Sequence, residues 1–410
     1  MSNVSSSNSQ GVHVPKLRFP GFEGEWQTRT ISDFATCYAG ATPSTKNRSF
    51  WDDGDIPWLS SGEVNKKHIF YTDNFITRLG FESSSTKMVP ADTVVMALAG
   101  QGKTRGTVAI TKIDLCTNQS LAAIVTDSTV NDNYLLYYLE TQYNNLRAIS
   151  SGDGTRGGLN LQIINSFKIS MPDLSEQIQI SQFLSVLDFR IEKQRRLVEL
   201  LKSYKRGVLA YVFQELSDNN SCAKKAISDL FEKVTARNKD GRIKNVITNS
   251  AEYGLIPQRS FFDKDIAVDG NTEGYYIIEP GDFVYNPRKS NYAPYGPFNV
   301  YGGNLPGIVS PLYVCLRPVS DVNVRYLFWY FQSSAWHRYM YDNGSQGVRH
   351  DRVSITDSIL MWIPVSLPCI SKQNAIAVSL DRLQLLYNKN AAILEQMISV
   401  KTSLANQMLI

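Results

Sequence analysis

Pro172-Asp-Leu-Ser-Glu-Gln177, "PDLSEQ", returns as Pro368-Cys-Ile-Ser-Lys-Gln373, "PCISKQ", at an offset of 368 − 172 = 196. One hexapeptide match is noise, but this one extends in both directions at the same offset. Downstream it continues without a gap through Ile180/Ile376, Leu184/Leu380, Leu187/Leu383, Lys193/Lys389, Glu199/Glu395 and Lys205/Lys401. Upstream, Ile31-Ser-Asp-Phe34 returns as Ile227-Ser-Asp-Leu230. A string of matches at one offset marks the chain as two copies of one unit.

The segment after each proline predicts a long helix of about 40 residues, from Ser175 and from Ser371, with the proline marking the boundary before it. Both carry a heptad seam. In the first copy it runs Ile180, Leu184, Leu187, Ile191, Gln194, Val198, Leu201, Lys205, Val208 and Val212. In the second it runs Ile376, Leu380, Leu383, Tyr387, Asn390, Leu394, Met397, Lys401, Leu404 and Met408. Polar residues interrupt both seams at the same two levels, Gln194/Asn390 and Lys205/Lys401. A polar layer can set the pairing of two helices at some cost in stability. A pseudo-twofold relation between the copies predicts an antiparallel pair about 60 Å long, with Gln194 near Asn390. The rival expectation is a solitary amphipathic helix packed on its own domain.

Ahead of each helix, about 150 residues mix short β-rich runs with Gly, Pro and Asn turns. "TVVMALAG", "TVAITKI" and "LAAIVTD" are examples in the first copy, "GYYIIEPGDFVYNP" and "SPLYVCLRPV" in the second. Short helices are expected at "NDNYLLYYLETQYNNLRAIS" and "VNVRYLFWYFQSSAWHRYMY". The fold class is therefore α+β: two tandem globular α/β domains bridged by an antiparallel pair of long coiled-coil helices. The expected division is a disordered tail over 1–17, domains over 18–171 and 217–366, and helices over 172–216 and 367–410.

The chain has 410 residues, 43% hydrophobic, enough for more than one core. Lys and Arg number 42 against 38 Asp and Glu, for a net charge of +4. That permits nucleic-acid binding without demanding it, since local basic surface matters more than the total. Five cysteines show no Cys-x-x-Cys spacing and there are four histidines, which argues against structural zinc and for reduced thiols in the cytoplasm. The Ser/Asn-rich start has no apolar core of a signal peptide. No apolar run approaches the roughly 18 residues of a membrane span.

"ALAGQGKTRG" (97–106) resembles a phosphate loop, but Ala97 stands where glycine is required and a β-branched run follows Thr104 where a helix should begin. The segment suits a hairpin turn whose Lys103 and Arg105 could touch DNA, or a plain solvated turn. "YNPRKSNYAPYG" (285–296) has the Asn-Pro of an adenine methyltransferase motif but lacks its second proline and aromatic. With Arg288, Lys289, Asn291 and Tyr292 it suits DNA contact or a structural turn. "SSGDGTRGGLN" and "NGSQGVRHDR" each present a Gly-x-Arg, at Arg156 and Arg349, able to bond a guanine edge, clamp a phosphate or fix the loop by a salt bridge. No acidic residue stands two positions before a lysine, as the common nuclease core needs, and no Gly-x-Ser-x-Gly elbow occurs. No catalytic residue and no metal ligand is assigned.

Together, "LRFPGFEGEW" (17–26), "GDIPWLSSGEV" (54–64) and the paired "PDLSEQ" and "PCISKQ" on a 196-residue duplication resemble the specificity subunit of a type I restriction-modification enzyme. The resemblance implies two target-recognition domains, each reading one half of a bipartite site in double-stranded DNA. It also implies that the helices dock two methyltransferase subunits; the heptad seam itself assigns helix pairing to Leu187, Ile191, Gln194, Val198, Leu201, Leu383, Tyr387, Asn390, Leu394 and Met397. No cofactor is expected in this subunit; S-adenosylmethionine, ATP and magnesium would belong to the methyltransferase and restriction/translocase partners. Two departures stand out: Lys372 replaces Glu176 in the second copy, and the second copy has no "GDIPW". Two other classes remain alternatives. One is a self-contained DNA modification enzyme, which the missing motifs argue against; the other is a coiled-coil adaptor without a DNA role. The charged outer face, including Arg190, Arg195, Arg196, Lys202 and Arg206, could meet partner helices or DNA, and is by default a solvated one.

Overall fold

The computed structural model describes residues 14–100, 104–150, 158–219, 222–258, 272–319, 321–344 and 351–409. The chain divides into two compact units, Met1–Arg195 with Ala392–Ile410, and Arg196–Ala391. The division runs through both long helices, Leu174–Asp218 (45 residues) and Ile370–Met408 (39 residues). Apolar residues recur every three or four positions along both, and neither has an internal proline. Every seam position is buried or half-buried, while Arg190, Lys193, Arg196, Lys202 and Arg206 are exposed. No described helix is long and apolar enough to cross a membrane.

In the first unit, Gln27–Thr30 pairs antiparallel with Lys168–Met171, Gln27 opposite Met171. A five-stranded sheet follows the order Ala35–Ala39, Leu121–Thr126, Val94–Ala97, Val108–Thr111, His68–Ile69. All its pairings are antiparallel except the last. Side chains of a strand alternate between faces, and both faces here are covered. Val94, Met96 and Ile110 pack with the helix Asp132–Thr141, whereas Val95, Ala97 and Ala109 pack with Leu59, Val64 and Leu115. That is why "TVVMALAG" is apolar throughout rather than alternating. A second sheet has the order Asn74–Ile76, Ile56–Leu59, Leu115–Thr117, Met88–Val89. Ile180 and Leu184 of the first long helix and Ala405, Met408 and Leu409 at the chain end close the core.

The second unit repeats the framework. Ala223–Ala226 pairs with Pro364–Leu367, Ala223 opposite Leu367, which is the first pair of strands moved by 196 at every residue. The main sheet has the order Phe231–Lys233, Val314–Pro318, Phe283–Tyr285, Phe298–Val300. It packs under the helix Val324–Gln332, with Leu209, Phe213 and Leu380 of the long helices completing the core. Beyond the framework the units differ: where the first has a four-stranded second sheet, the second has two-stranded pairs, Ile247–Ser250 with Gly254–Pro257 and Tyr276–Ile278 with Gly307–Val309.

Of the stretch 1–17 expected as a disordered tail, residues 1–13 lie outside the described residues and 14–17 are held in place. Pro15 is buried and the Leu17 N–H donates to the Gln407 carbonyl at 3.0 Å, so packing and a backbone hydrogen bond hold the chain before residue 18.

Candidate nucleic-acid interface

The repeated hexapeptide owes its glutamine to a clamp made twice. Gln177 Nε2 donates to the Pro172 carbonyl (3.0 Å) and its Oε1 accepts from the Asn131 N–H (2.9 Å). Gln373 does the same with Pro368 (2.8 Å) and Asn323 (3.0 Å). Asn131 and Asn323 are the N-caps of the two domain helices, accepting from Tyr134 N and Tyr326 N. One buried amide thus ties the start of each long helix to the start of the domain helix. Tyr134 and Tyr326 then donate to the carbonyls of Ser170 and Ser366, again 196 apart.

The substitution of Lys372 for Glu176 removes a second clamp. In the first unit the buried Glu176 carboxylate takes two hydrogen bonds of 2.8 Å from Arg18, which also donates to the carbonyls of Glu23 and Gly24. This bidentate pair fastens the "LRFPGFEGEW" arm to the helix. Lys372 is exposed.

A level of the helix pair lies over each domain. In the first unit, Lys401 Nζ is 2.7 Å from Asp188 Oδ1, and Lys67 Nζ is 2.7 Å from Asp188 Oδ2 and 2.6 Å from Glu140 Oε1. Tyr137 donates its hydroxyl to Asp188 (2.9 Å), and both ammonium groups lie over its ring at 4.7 and 5.1 Å. Two cations and two carboxylates balance. Burial alone would raise the Asp188 carboxyl, but Lys67 and Lys401 outweigh it and hold the group below its ordinary value. Burial likewise disfavours the Lys401 ammonium, and Glu140 and Asp188 outweigh it, raising its pKa.

Moving that pair by 196 gives Gln384 for Asp188 and Lys205 for Lys401. Lys205 Nζ donates to Gln384 Oε1 at 2.6 Å and lies 5.2 Å from the Tyr387 ring centroid. Gln384 Nε2 passes the chain on to Asn388 (2.7 Å). Among the described residues no carboxylate pairs with Lys205, and burial, then Lys202, push its pKa down. Both contacts bring the N-terminal part of one long helix beside the C-terminal part of the other within a single unit, so each unit holds an antiparallel helix pair.

Lys205 lines a groove of about 1270 Å³ within the second unit, together with Lys202, Arg206, Tyr253, Tyr292 and Asn299. Arg325 also borders it, but its charge is matched by Asp381, which accepts as well from Trp329 Nε1 (2.9 Å).

Of the residues named from sequence for DNA contact, Lys103, Arg156 and Arg349 lie outside the described residues. Arg105 is half-buried in the turn between the antiparallel strands Val94–Ala97 and Val108–Thr111, where Gly106 takes φ +83°. The Gly-Lys-Thr stretch is thus followed by a strand, without the helix a phosphate loop needs. Arg288, Lys289, Asn291 and Tyr292 share a loop in which Lys289 N donates to the Asp351 carbonyl and the Pro287 carbonyl accepts from Val353 N. Gly296 closes it: a Cβ there would sit 2.1 Å from the Asn286 carbonyl. Tyr292, 70% exposed, is the member of this loop that reaches the groove. Lys67, Glu140, Asp188 and Gln384 were not found from sequence. The available signal was the mismatch Asp188/Gln384 one helix away from the matched Lys205/Lys401.

The family of type I restriction modification DNA specificity domains matches residues 23–202. Over those residues the chain is similar to type I specificity subunits. The specificity subunit of the type I restriction enzyme EcoR124I/EcoR124II from Escherichia coli is 27% identical over 169 residues, 40% of this chain and 42% of that one. The MjaIX specificity subunit of Methanocaldococcus jannaschii is 30% identical over 183 residues, 43% of this chain and 41% of that one. The matched part therefore spans less than half the length of either relative. The fold likeness extends further: the crystal structure of the S subunit from M. genitalium aligns with a TM-score of 0.57 at 12% identity, over 97% of this chain and 99% of that chain. All five cysteines of the chain are free thiols, with Cys116 and Cys315 buried.

Proposed function

We propose that this chain is the sequence-reading DNA-binding subunit of a cytoplasmic type I restriction-modification complex. Residues 18–171 and 217–366 act as target-recognition domains, each reading one half of a bipartite site. The helical segments 172–216 and 367–410 hold the two at a set spacing and dock two methyltransferase subunits, which restriction/translocase subunits can join. S-adenosylmethionine, ATP and magnesium belong to those partners, and adenine N6 would have to leave the stack to be methylated by them.

The observation that carries this reading is the division between what repeats and what does not. The strand pair and the glutamine clamp return in both units, while the second sheet and the loops around it diverge. A shared frame bearing different loops suits two readers of different sequence. Lys103, Arg105, Arg156, Arg288, Lys289, Asn291, Tyr292 and Arg349 are the proposed contacts, by bidentate bonds to base edges or by phosphate contact.

Sequencing of methylated adenines in cells carrying the complex tests the reading: a bipartite motif is expected, and exchange of residues 217–366 with a relative's should change one half only. A change in both halves, or in neither, would refute it. Transfer of labelled methyl groups from S-adenosylmethionine to DNA by this chain alone would favour the modification enzyme instead.

A further inference from the structure

Of the residues picked out for base contact only Tyr292 is among the described residues that line the groove of the second unit, and the groove's cations lie on a long helix. Lys202, Lys205 and Arg206 stand at i, i+3 and i+4, on one helix face with neighbours about 5–6 Å apart. That is a row of charges, suited to a polyanion more than to a single small ion. Among the described residues none of the three has a carboxylate partner, and Glu252 is the one carboxylate among the described lining residues. Gln384 occupies one of the three N–H donors of Lys205, leaving others for a ligand. Tyr253 and Tyr292, 60% and 70% exposed on the groove wall, add hydroxyl donors of the kind that bond phosphate oxygens.

The same positions of the first unit carry Ile398, Lys401 and Thr402 in place of the cations, and Asp188 and Glu192 in place of Gln384 and Asn388. There the single lysine is already neutralised by Asp188 and Glu140.

Resting on the DNA-binding reading above, we infer that the groove of the second unit seats a run of DNA phosphates on Lys202, Lys205 and Arg206, so that the two halves of the protein anchor the duplex unequally. The second half supplies sequence-independent attraction from its helix face; the first depends on its recognition domain.

The salt dependence of binding to a random-sequence duplex tests this with the purified chain, alone and with methyltransferase subunits. Each phosphate contact contributes about 0.9 to the slope of log K against log salt. The triple variant Lys202→Gln/Lys205→Gln/Arg206→Gln should lower the slope by about 2–3. The double variant Lys202→Gln/Arg206→Gln changes only exposed side chains, so folding is preserved, and it should lower the slope by about 2. Lys401→Gln should leave it unchanged. An unchanged slope in the double and triple variants overturns the inference while the DNA-binding reading stands. An equal fall with Lys401→Gln overturns the inequality. Loss of methyltransferase co-purification with an unchanged slope would assign the groove to an acidic protein surface and overturn it too. A wild-type chain with no affinity for duplex, with or without partners, overturns both readings.

Discussion

Lys205 and Lys401 occupy one level of one repeat, yet their surroundings are opposite in charge. Around Lys401, Asp188, Glu140 and Lys67 close a neutral cluster in which each carboxylate serves two ammonium groups. Around Lys205, Gln384 and Asn388 supply neutral oxygens only, and exposed Lys202 and Arg206 stand nearby. A half-buried ion cluster fastens a domain to its helices but leaves little field outside; an unmatched lysine holds its domain weakly and leaves charge available to a ligand. One repeated frame has thus become a clasp in one unit and a groove in the other.

The largest test removes the shared carboxylate. Asp188→Ala leaves Lys67 and Lys401 facing each other with Glu140 alone, and should cost the first unit about 2–4 kcal/mol. Gln384→Ala should cost the second about 1 kcal/mol. Urea midpoints followed by probes in each unit read both, and equal losses would break the comparison. Next comes the arm clamp. Glu176→Gln weakens the bidentate bond from Arg18 and should cost about 1–2 kcal/mol, whereas Lys372→Glu should change the second unit by less than about 0.5 kcal/mol.

A gain-of-partner change sharpens the contrast. Gln384→Asp restores the carboxylate of the first unit, and should stabilise the second by about 0.5–1 kcal/mol near pH 7 while weakening duplex binding. Stabilisation with undiminished DNA affinity would show that Lys205 takes no part in binding.

The smallest effects are in pH, and their signs differ between the two lysines. Lys401 is raised in the folded state, so its contribution is complete below the unfolded value of about 10.4 and fades as pH climbs through the folded one. Lys205 is lowered, so the unfolded chain binds its proton more tightly and stability rises with pH up to about 10.4. Melting of Lys205→Met and Lys401→Met against wild type between pH 8 and about 11 should give differences of opposite slope. Asp188 is lowered as well, so the advantage of wild type over Asp188→Asn should hold above about pH 4 and shrink as pH falls further. A constant difference there would mean that Asp188 titrates alike in both states.

Much of the frame was legible because it depends on local pattern. Pro172 and Pro368 mark helix boundaries, and heptads mark the seam. The function of Gln177 and Gln373 was visible only as a repeat. Its partners lie 46 and 50 residues away, and no local preference marks a glutamine as a clamp. The clasp was hidden for the same reason: Lys67, Glu140, Asp188 and Lys401 come from four distant segments. Lys202 and Arg206 read as solvated charge, since a helix sequence shows which face is polar but not what stands across from it.

By itself, the sequence determined the duplication, the two long helices and the kind of domain each copy holds, because hydrophobic period and turn chemistry act over a few residues. Only the tertiary structure decided which of two matched lysines is neutralised and which borders an open groove. Charge balance depends on separations of a few ångströms between segments far apart in the chain, and the Coulomb energy of a pair is set by that distance and by burial.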